Sequence, residues 1–325
     1  MRKKAALTTI SLMIVFSGVG CPFHLDFLGK DRMEEVVLKE SGAREKILLL
    51  DLSGVIGVMG DAGLFPRKDG NILSRIYYRL EEAASDPDIR GIILRLDTPG
   101  GEVTASDILY NEIWEFRSRT GIPVVALMMG LSTSGGYYIA SACDAIFAHP
   151  STITGSIGVI SIFPNIEELF HKVGVEMTVI KSGKMKDSGS PFRTMNEEEQ
   201  AVFQEIVDGF HEDFLKAVYR GREGKLGMEK LKALADGRIY TAPQALELGL
   251  IDDIGYFSQA FEKTLELTGL RRARVVTYTY YPQSKTNIYA RRLDGSLSWE
   301  SRELQQLLQT LRSGFYYLWL PQLRE

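Results

Sequence analysis

Cysteine is nearly absent. Only Cys21 and Cys143 occur in 325 residues, with no CxxC pair and no zinc-type spacing, which excludes a disulfide framework and a structural metal site of the usual kind. Histidine is scarce as well: His24, His149, His171 and His211 are the whole set, which narrows any Ser–His chemistry to very few residues. There is no excess of basic charge. The formal net charge is −4 and Lys and Arg are spread along the chain, which argues against a nucleic-acid surface built on a basic patch. No tandem repeat of fixed period is present. No apolar run reaches the roughly 20 residues of a full membrane span.

What is present begins with an export segment. Arg2, Lys3 and Lys4 precede the apolar stretch Ala5 to Phe16, followed by small residues and Cys21. A basic start, a short apolar core and a small-residue end describe a signal peptide or anchor over residues 1–21. Positive charge left on the cytoplasmic side then places the remainder outside the cytoplasm. Gly18-Val19-Gly20-Cys21 is similar to the end of a bacterial lipoprotein signal, except that Gly18 stands where leucine is expected. Three readings of Cys21 follow: a lipidation site, part of an uncleaved anchor, or a cysteine at the boundary by chance.

Residues 22–44 are mixed and charged and read as a linker. From residue 45 the pattern becomes regular. Lys46–Ile56, Gly91–Leu96, Pro123–Met129 and Ala145–Ala148 are continuous apolar runs of strand length. Between them lie Asn71–Ala84 and Ala105–Arg117 with helical spacing, and Ser134–Ala142 as a further helix. Alternation of this kind implies an α/β fold with a parallel sheet covered on both faces. Further along, Val175–Ile180 reads as a strand, and Asn196–Gly221 and Tyr256–Thr268 as helices. The C-terminal extension, 271–325, offers Val275–Tyr281 as a strand, Leu304–Arg312 as a short helix, and the aromatic run Phe315–Leu320, read as core packing or an oligomer contact in preference to a membrane contact.

Three segments carry chemistry. Asp97-Thr98-Pro99-Gly100-Gly101 follows a strand, and its glycines permit unusual backbone angles and amides free to hold an oxyanion. Alone, it is also an ordinary turn. Ser132-Thr133-Ser134-Gly135-Gly136-Tyr137 joins a strand to an apolar helix, so Ser134 is a nucleophile or a helix cap. Lys181-Ser182-Gly183-Lys184-Met185-Lys186-Asp187 holds three lysines, one of which is a candidate base; otherwise it is a solvated basic loop.

Together these segments resemble the signal peptide peptidase A family. The resemblance rests on RLDTPGGEVTASD (95–107), TSGGYYIASACDAIFAHPSTITGSIGVI (133–160), IKSGKMKDSGSPFR (180–193) and GRIYTAPQALELGLIDDIG (237–255), in order, across about residues 45–270. It implies a Ser–Lys protease domain over 45–270, on a crotonase- or Clp-protease-like spiral of β-β-α units that assembles into a homo-oligomeric ring, without metal or other cofactor. It assigns Ser134 as nucleophile, Lys186 as general base and Ser156 as the serine that orients the lysine. The oxyanion hole falls to Gly101 and Gly135, with Gly100 close by. Many members show Asn-Ser where this chain has Asp97-Thr98.

The chemistry is sound: a serine hydroxyl needs a base, and an apolar pocket disfavours the charged form of a lysine. Asp187 would work against that if it paired with Lys186, so it is expected to point away. The implied activity is that of a membrane-associated serine endopeptidase of the bacterial cell envelope, with its catalytic domain on the outer side. Its substrates would be cleaved signal peptides or unfolded exported polypeptides, with small or apolar residues at the cleavage site. The rivals are a Ser–His hydrolase using His149, a crotonase-like acyl-CoA enzyme, which the export segment disfavours, and an inactive membrane scaffold on the same fold.

Overall fold

The computed structural model describes residues 33–57, 71–279, 287–288 and 314–319. The export segment with Cys21 and the helix expected over Leu304–Arg312 lie outside these residues. Among the described residues, no helix is long and apolar enough to cross a membrane.

The framework is a mixed α/β fold on a largely parallel sheet. Strands β1 (Glu34–Lys39) and β2 (Lys46–Ser53) precede helix α1 (Ile72–Ser85). Next come β3 (Ile89–Thr98), the short β4 (Gly100–Glu102) and α2 (Val103–Thr120). β5 (Val124–Thr133) leads into α3 (Gly135–Ala140), then β6 (Ala145–Ala148), β7 (Ile153–Gly155), β8 (Ile160–Ile162) and α4 (Glu167–Lys172). The second half contains α5 (Glu197–Gly221), α6 (Met228–Leu234), β9 (Ile239–Thr241), α7 (Ala242–Leu248), β10 (Asp253–Ile254), α8 (Phe257–Thr268), β11 (Arg274–Thr279) and β12 (Gly314–Leu318).

The main sheet runs β1-β11-β2-β3-β5-β6-β10, with β7 and β9 branching from β5. Its centre is parallel: Leu50 pairs with Leu94, and Leu94 with Ala126. Apolar residues on both faces explain why these strands read as unbroken hydrophobic runs. Leu48, Leu50 and Leu52 face one cluster with Ile76 and Leu80 of α1 and Leu109 of α2. Ile47 and Leu49 face the opposite cluster with Phe257 and Ala260 of α8.

Local chemistry sets the helix ends. The Asn71 side chain accepts a hydrogen bond from Ser74 N (3.0 Å) and caps α1. Asn196 and Glu199 form a reciprocal capping box at the start of α5. At its other end, α5 approaches α3 so closely that a Cβ on Gly221 would sit 1.8 Å from Ser141 O, so only glycine fits there.

Two segments differ from their sequence reading. Within the stretch read as a linker, Glu34–Lys39 forms β1 and pairs antiparallel with β11. That pairing, and the parallel pairing of β11 with β2, draws the start of the C-terminal extension into the main sheet. The strand expected over Val175–Ile180 does not form. Its side chains are exposed, Ile180 by 97%, and among the described residues the segment has no strand beside it to complete the backbone hydrogen bonds that define a sheet.

Candidate active site

The parallel strands β3 and β5 end side by side, with Thr98 paired to Ser132. Open α/β sheets place ligands at this carboxyl edge. β5 also pairs with β7, matching Leu131 to Ile153, Ser132 to Thr154 and Thr133 to Gly155, a constant offset of 22 residues. One step further, the same offset takes Ser134 to Ser156. Ser134 N donates to Gly155 O (2.7 Å), and Ser156 N to Arg238 O (2.7 Å). The two sequence-selected serines are therefore brought together by sheet register.

Both are strained. Ser134 has φ 53 and Ser156 φ 51, and among the described residues they are the only non-glycine residues with positive φ. Such conformations cost about 1–3 kcal/mol each and concentrate at functional sites. The Ser134 side chain is 1% exposed, and among the described residues its hydroxyl has no hydrogen-bond partner. A buried, unsatisfied hydroxyl at a strained strand-to-helix turn is the geometry of a nucleophile held for an incoming group.

The Pro-Gly-Gly loop lies against this turn. A Cβ on Gly100, which has φ 98, would fall 2.8 Å from Gly135 N. One on Gly135 would meet Ser106 Oγ at 2.5 Å, so both positions demand glycine. The structure separates the roles of the two loop glycines. Gly100 N donates to Thr98 Oγ1 (3.0 Å), whose hydroxyl donates to Gly54 O (2.6 Å). Gly100 is thus not available as the oxyanion donor suggested for it, and its part is conformational. Gly101 is held by Ile56, which runs parallel to it: Ile56 N donates to Gly100 O (2.9 Å) and Glu102 N to Ile56 O (2.8 Å). Thr98 was not selected from sequence as a functional residue. A hydroxyl two residues before a glycine is its only sequence signal.

Lys186 stands apart. Its side chain is exposed, and among the described residues it has no hydrogen-bond or ion-pair partner. Among the described residues, nothing joins it to Ser134 or Ser156. Its loop is nevertheless fixed. Arg193 Nε and Nη2 donate to the Asp187 carboxylate (2.9 and 2.8 Å), and Lys181 Nζ donates to it at 2.6 Å. Arg193 Nη1 also donates to Glu199 Oε2 (2.9 Å) at the start of α5. Asp187 is therefore taken up by Arg193 and Lys181 and not by Lys186. The hydrogen bonds from Arg193, then Lys181, hold the Asp187 carboxyl well below the usual carboxylate range. Arg193 likewise holds Glu199 down to about 2, from 4.5. A depressed folded pKa means that this stabilisation is complete above about 4.5 and is lost as pH falls towards about 2. Amide protection across residues 181–193, corrected for intrinsic exchange, is expected to persist at pH 5–7 and to fall through that acid window. In Arg193→Ala it should already be lost at neutral pH.

Two other candidate nucleophile or base groups are accounted for. His149 Nδ1 is bonded to Ser151 Oγ (2.8 Å) and its ring stacks edge-on against Tyr256, with no link to Ser134. Burial pushes the Cys143 thiol up to about 12, so it stays protonated within the core.

Residues 117–271 match the model of peptidase family S49. A protein of Enterococcus faecium named for signal peptide peptidase SppA is 36% identical over 252 residues, covering 78% of this chain and 72% of that protein. This chain belongs to the S49 peptidase family. Protease 4 of Haemophilus influenzae is 31% identical over 239 residues, covering 74% of this chain and 37% of its own length. The chloroplastic serine protease SPPA of Arabidopsis thaliana is 27% identical over 266 residues, covering 81% and 38%. This S49 chain thus spans most of the Enterococcus protein but well under half of the other two. Membership makes it a serine peptidase of the signal peptide peptidase A family.

Proposed function

We propose that this S49 peptidase cleaves polypeptides through an acyl-enzyme on Ser134, with Lys186 as general base and Ser156 orienting the amine. The observation that carries this reading is the pair of strained serines set together by the β5–β7 register, one of them with a hydroxyl that is buried and, among the described residues, unpartnered, at the turn against which the Pro-Gly-Gly loop packs. Ser134 Oγ attacks the carbonyl carbon and its proton passes to Lys186. The oxyanion is held by the N–H groups of Gly101 and Gly135. Lys186 returns the proton to the leaving amine, and water then hydrolyses the ester.

Lys186 is delivered, in this reading, by a neighbouring copy of the chain. The exposed lysine and the unpaired segment before it support this. Val173, Val175, Met177, Val179 and Ile180 present an apolar edge to solvent, which a second subunit would cover. Closed repetition of such a contact yields a ring, on the spiral fold of the crotonase and Clp-protease type. Residues 1–21 would hold the assembly at the membrane, with Cys21 a lipidation site, and bring it near cleaved signal peptides and unfolded exported chains on the outer side.

The test is labelling of the full chain with a fluorophosphonate, followed by mapping of the modified peptide. Label on Ser134, absent in Ser134→Ala, is expected. Label on another residue, or none on a folded assembly, would remove the reading. A Ser–His mechanism through His149 is disfavoured by the engagement of that ring with Ser151 and Tyr256.

A further inference from the structure

The strand that ends in Ser134 changes register just before it. Leu96 of β3 pairs with Met128 of β5, 32 positions on, but Thr98 pairs with Ser132, 34 positions on. Asp97 alone therefore stands opposite Met129, Gly130 and Leu131, a bulge with two surplus residues on β5. At the same level β5 exchanges neighbours on its other edge. Met128 pairs with Ala148 of β6, and Leu131 with Ile153 of β7. Met129 and Gly130 thus lie between the paired positions on both edges.

The two surplus residues decide what meets the Pro-Gly-Gly loop. At the offset of 34, Ser134 comes level with Gly100, and a Gly100 Cβ would fall 2.8 Å from Gly135 N. At the earlier offset of 32, Ser132 would take that place, and Ser134 would lie two residues beyond it. Strand side chains alternate with period two, so a slip of two leaves every side chain on its own face. Burial of the apolar residues therefore does not forbid the slip, and the bulge needs a more specific hold.

Two side chains supply it. Asp97 Oδ1 accepts from Leu131 N at 3.2 Å. The Asp97 backbone is anchored on the far side, paired with Ser53 of β2, and its carbonyl accepts from Gly54 N at 3.1 Å. From the other edge, the buried Thr152 donates its hydroxyl to Met129 O at 2.5 Å, with Met128 O at 3.1 Å. Met128 O also accepts from His149 N at 2.9 Å. An amide and a carbonyl in the bulge thus gain side-chain partners in place of ladder partners.

We propose that Asp97 and Thr152 are positioning residues for the peptidase reaction, clamping the β5 bulge so that Ser134 is held level with the Pro-Gly-Gly loop. This rests on the reading of Ser134 as nucleophile. Neither residue reaches the reacting atoms; each acts through the strand that carries the serine.

The test uses the full chain and two readouts. One is the rate at which a fluorophosphonate labels Ser134, which needs no bound peptide. The other is hydrogen exchange of the Leu131 amide, followed by NMR. Asp97→Ala should slow labelling by about ten- to a hundredfold, as a displaced reacting group does. It should speed Leu131 exchange by about tenfold or more, the worth of a hydrogen bond to a charged group. Asp97→Asn keeps the accepting oxygen and should stay within about threefold of the parent in both. Thr152→Val keeps the branched shape and drops the hydroxyl; it should change both rates in the same directions as Asp97→Ala, and Thr152→Ser should restore them. Thermal transitions show which variants are folded, and the threonine pair carries the test should Asp97→Ala not fold. Labelling at the parent rate in the folded variants that lack either group overturns the proposal. Slowed labelling with Leu131 still protected does so too, as does an Asp97→Asn chain as slow as Asp97→Ala. A parent labelled at a residue other than Ser134 counts against the nucleophile reading instead. The Leu131 exchange rates need no reactive serine and still decide whether the two side chains clamp the bulge.

Discussion

Replacing Ser134 by alanine is expected to lower peptidase turnover by about a thousandfold or more, since what remains when a nucleophile is lost is the binding and oxyanion contribution alone. The same change should stabilise the fold. The Ser134 hydroxyl is buried without a partner, a condition that costs about 1–3 kcal/mol and that alanine removes. Alanine keeps the strained backbone at φ 53, whereas glycine relieves it. Ser134→Gly should therefore gain a further ~1–3 kcal/mol from released strain, less ~0.5–1 kcal/mol for glycine's greater freedom when unfolded. For a domain of this size each kcal/mol moves the melting temperature by about 2–4 °C, so both variants should melt above the parent, and glycine above alanine. Thermal melts and casein hydrolysis on the same three preparations check this. An alanine variant that still cuts would remove Ser134 from the chemistry. A glycine variant that melts below the parent would show that the turn stores no strain.

That trade explains why the site was legible where it was. Ser134 follows an apolar strand and precedes two glycines, and only a backbone forced out of ordinary angles needs that surrounding of small residues. The distance of 22 residues between the two serines is the register offset of β5 against β7, a quantity that sequence carries directly once both segments are strands. The central strands were legible for a similar reason, since burial on both faces leaves an unbroken apolar run. Pairing between distant segments was not. Among the described residues, Val175–Ile180 has the composition of a strand but no partner, while Phe315–Leu318 has it and finds two partners, β4 and β8. Composition reports the tendency to extend, and the neighbour that completes the hydrogen bonds lies elsewhere in the sequence. The same limit hid the part of Thr98, whose hydroxyl takes up the Gly100 amide.

Loss of Lys186 should be as damaging as loss of Ser134, and repairable in a way that tests how the base arrives. In the proposed mechanism, Lys186→Ala removes the proton acceptor. Lys186→Arg should be equally inactive, because a guanidinium stays protonated and cannot take the proton from a serine. Both variants should keep the parent melting temperature, since among the described residues the exposed Lys186 side chain has no partner to lose. The position of that side chain then makes a sharper demand. Ser134 is enclosed at the sheet edge, while the loop of Lys186 is clamped by Arg193 to Asp187 and Glu199 and directed to solvent. A rigid loop on the outside of one subunit suits delivery to the next. Mixing Ser134→Ala with Lys186→Ala, each inactive alone, should therefore restore activity once subunits exchange. In a ring of equal parts, about a quarter of the sites join an intact serine to an intact neighbouring lysine, so recovery should approach about a quarter of the parent rate. Arg193→Ala, introduced into the lysine-bearing partner, should lower that recovery by loosening the loop. A mixture that exchanges subunits and stays inactive would instead place the base on the serine's own chain, with the 181–193 loop swinging inward to reach it.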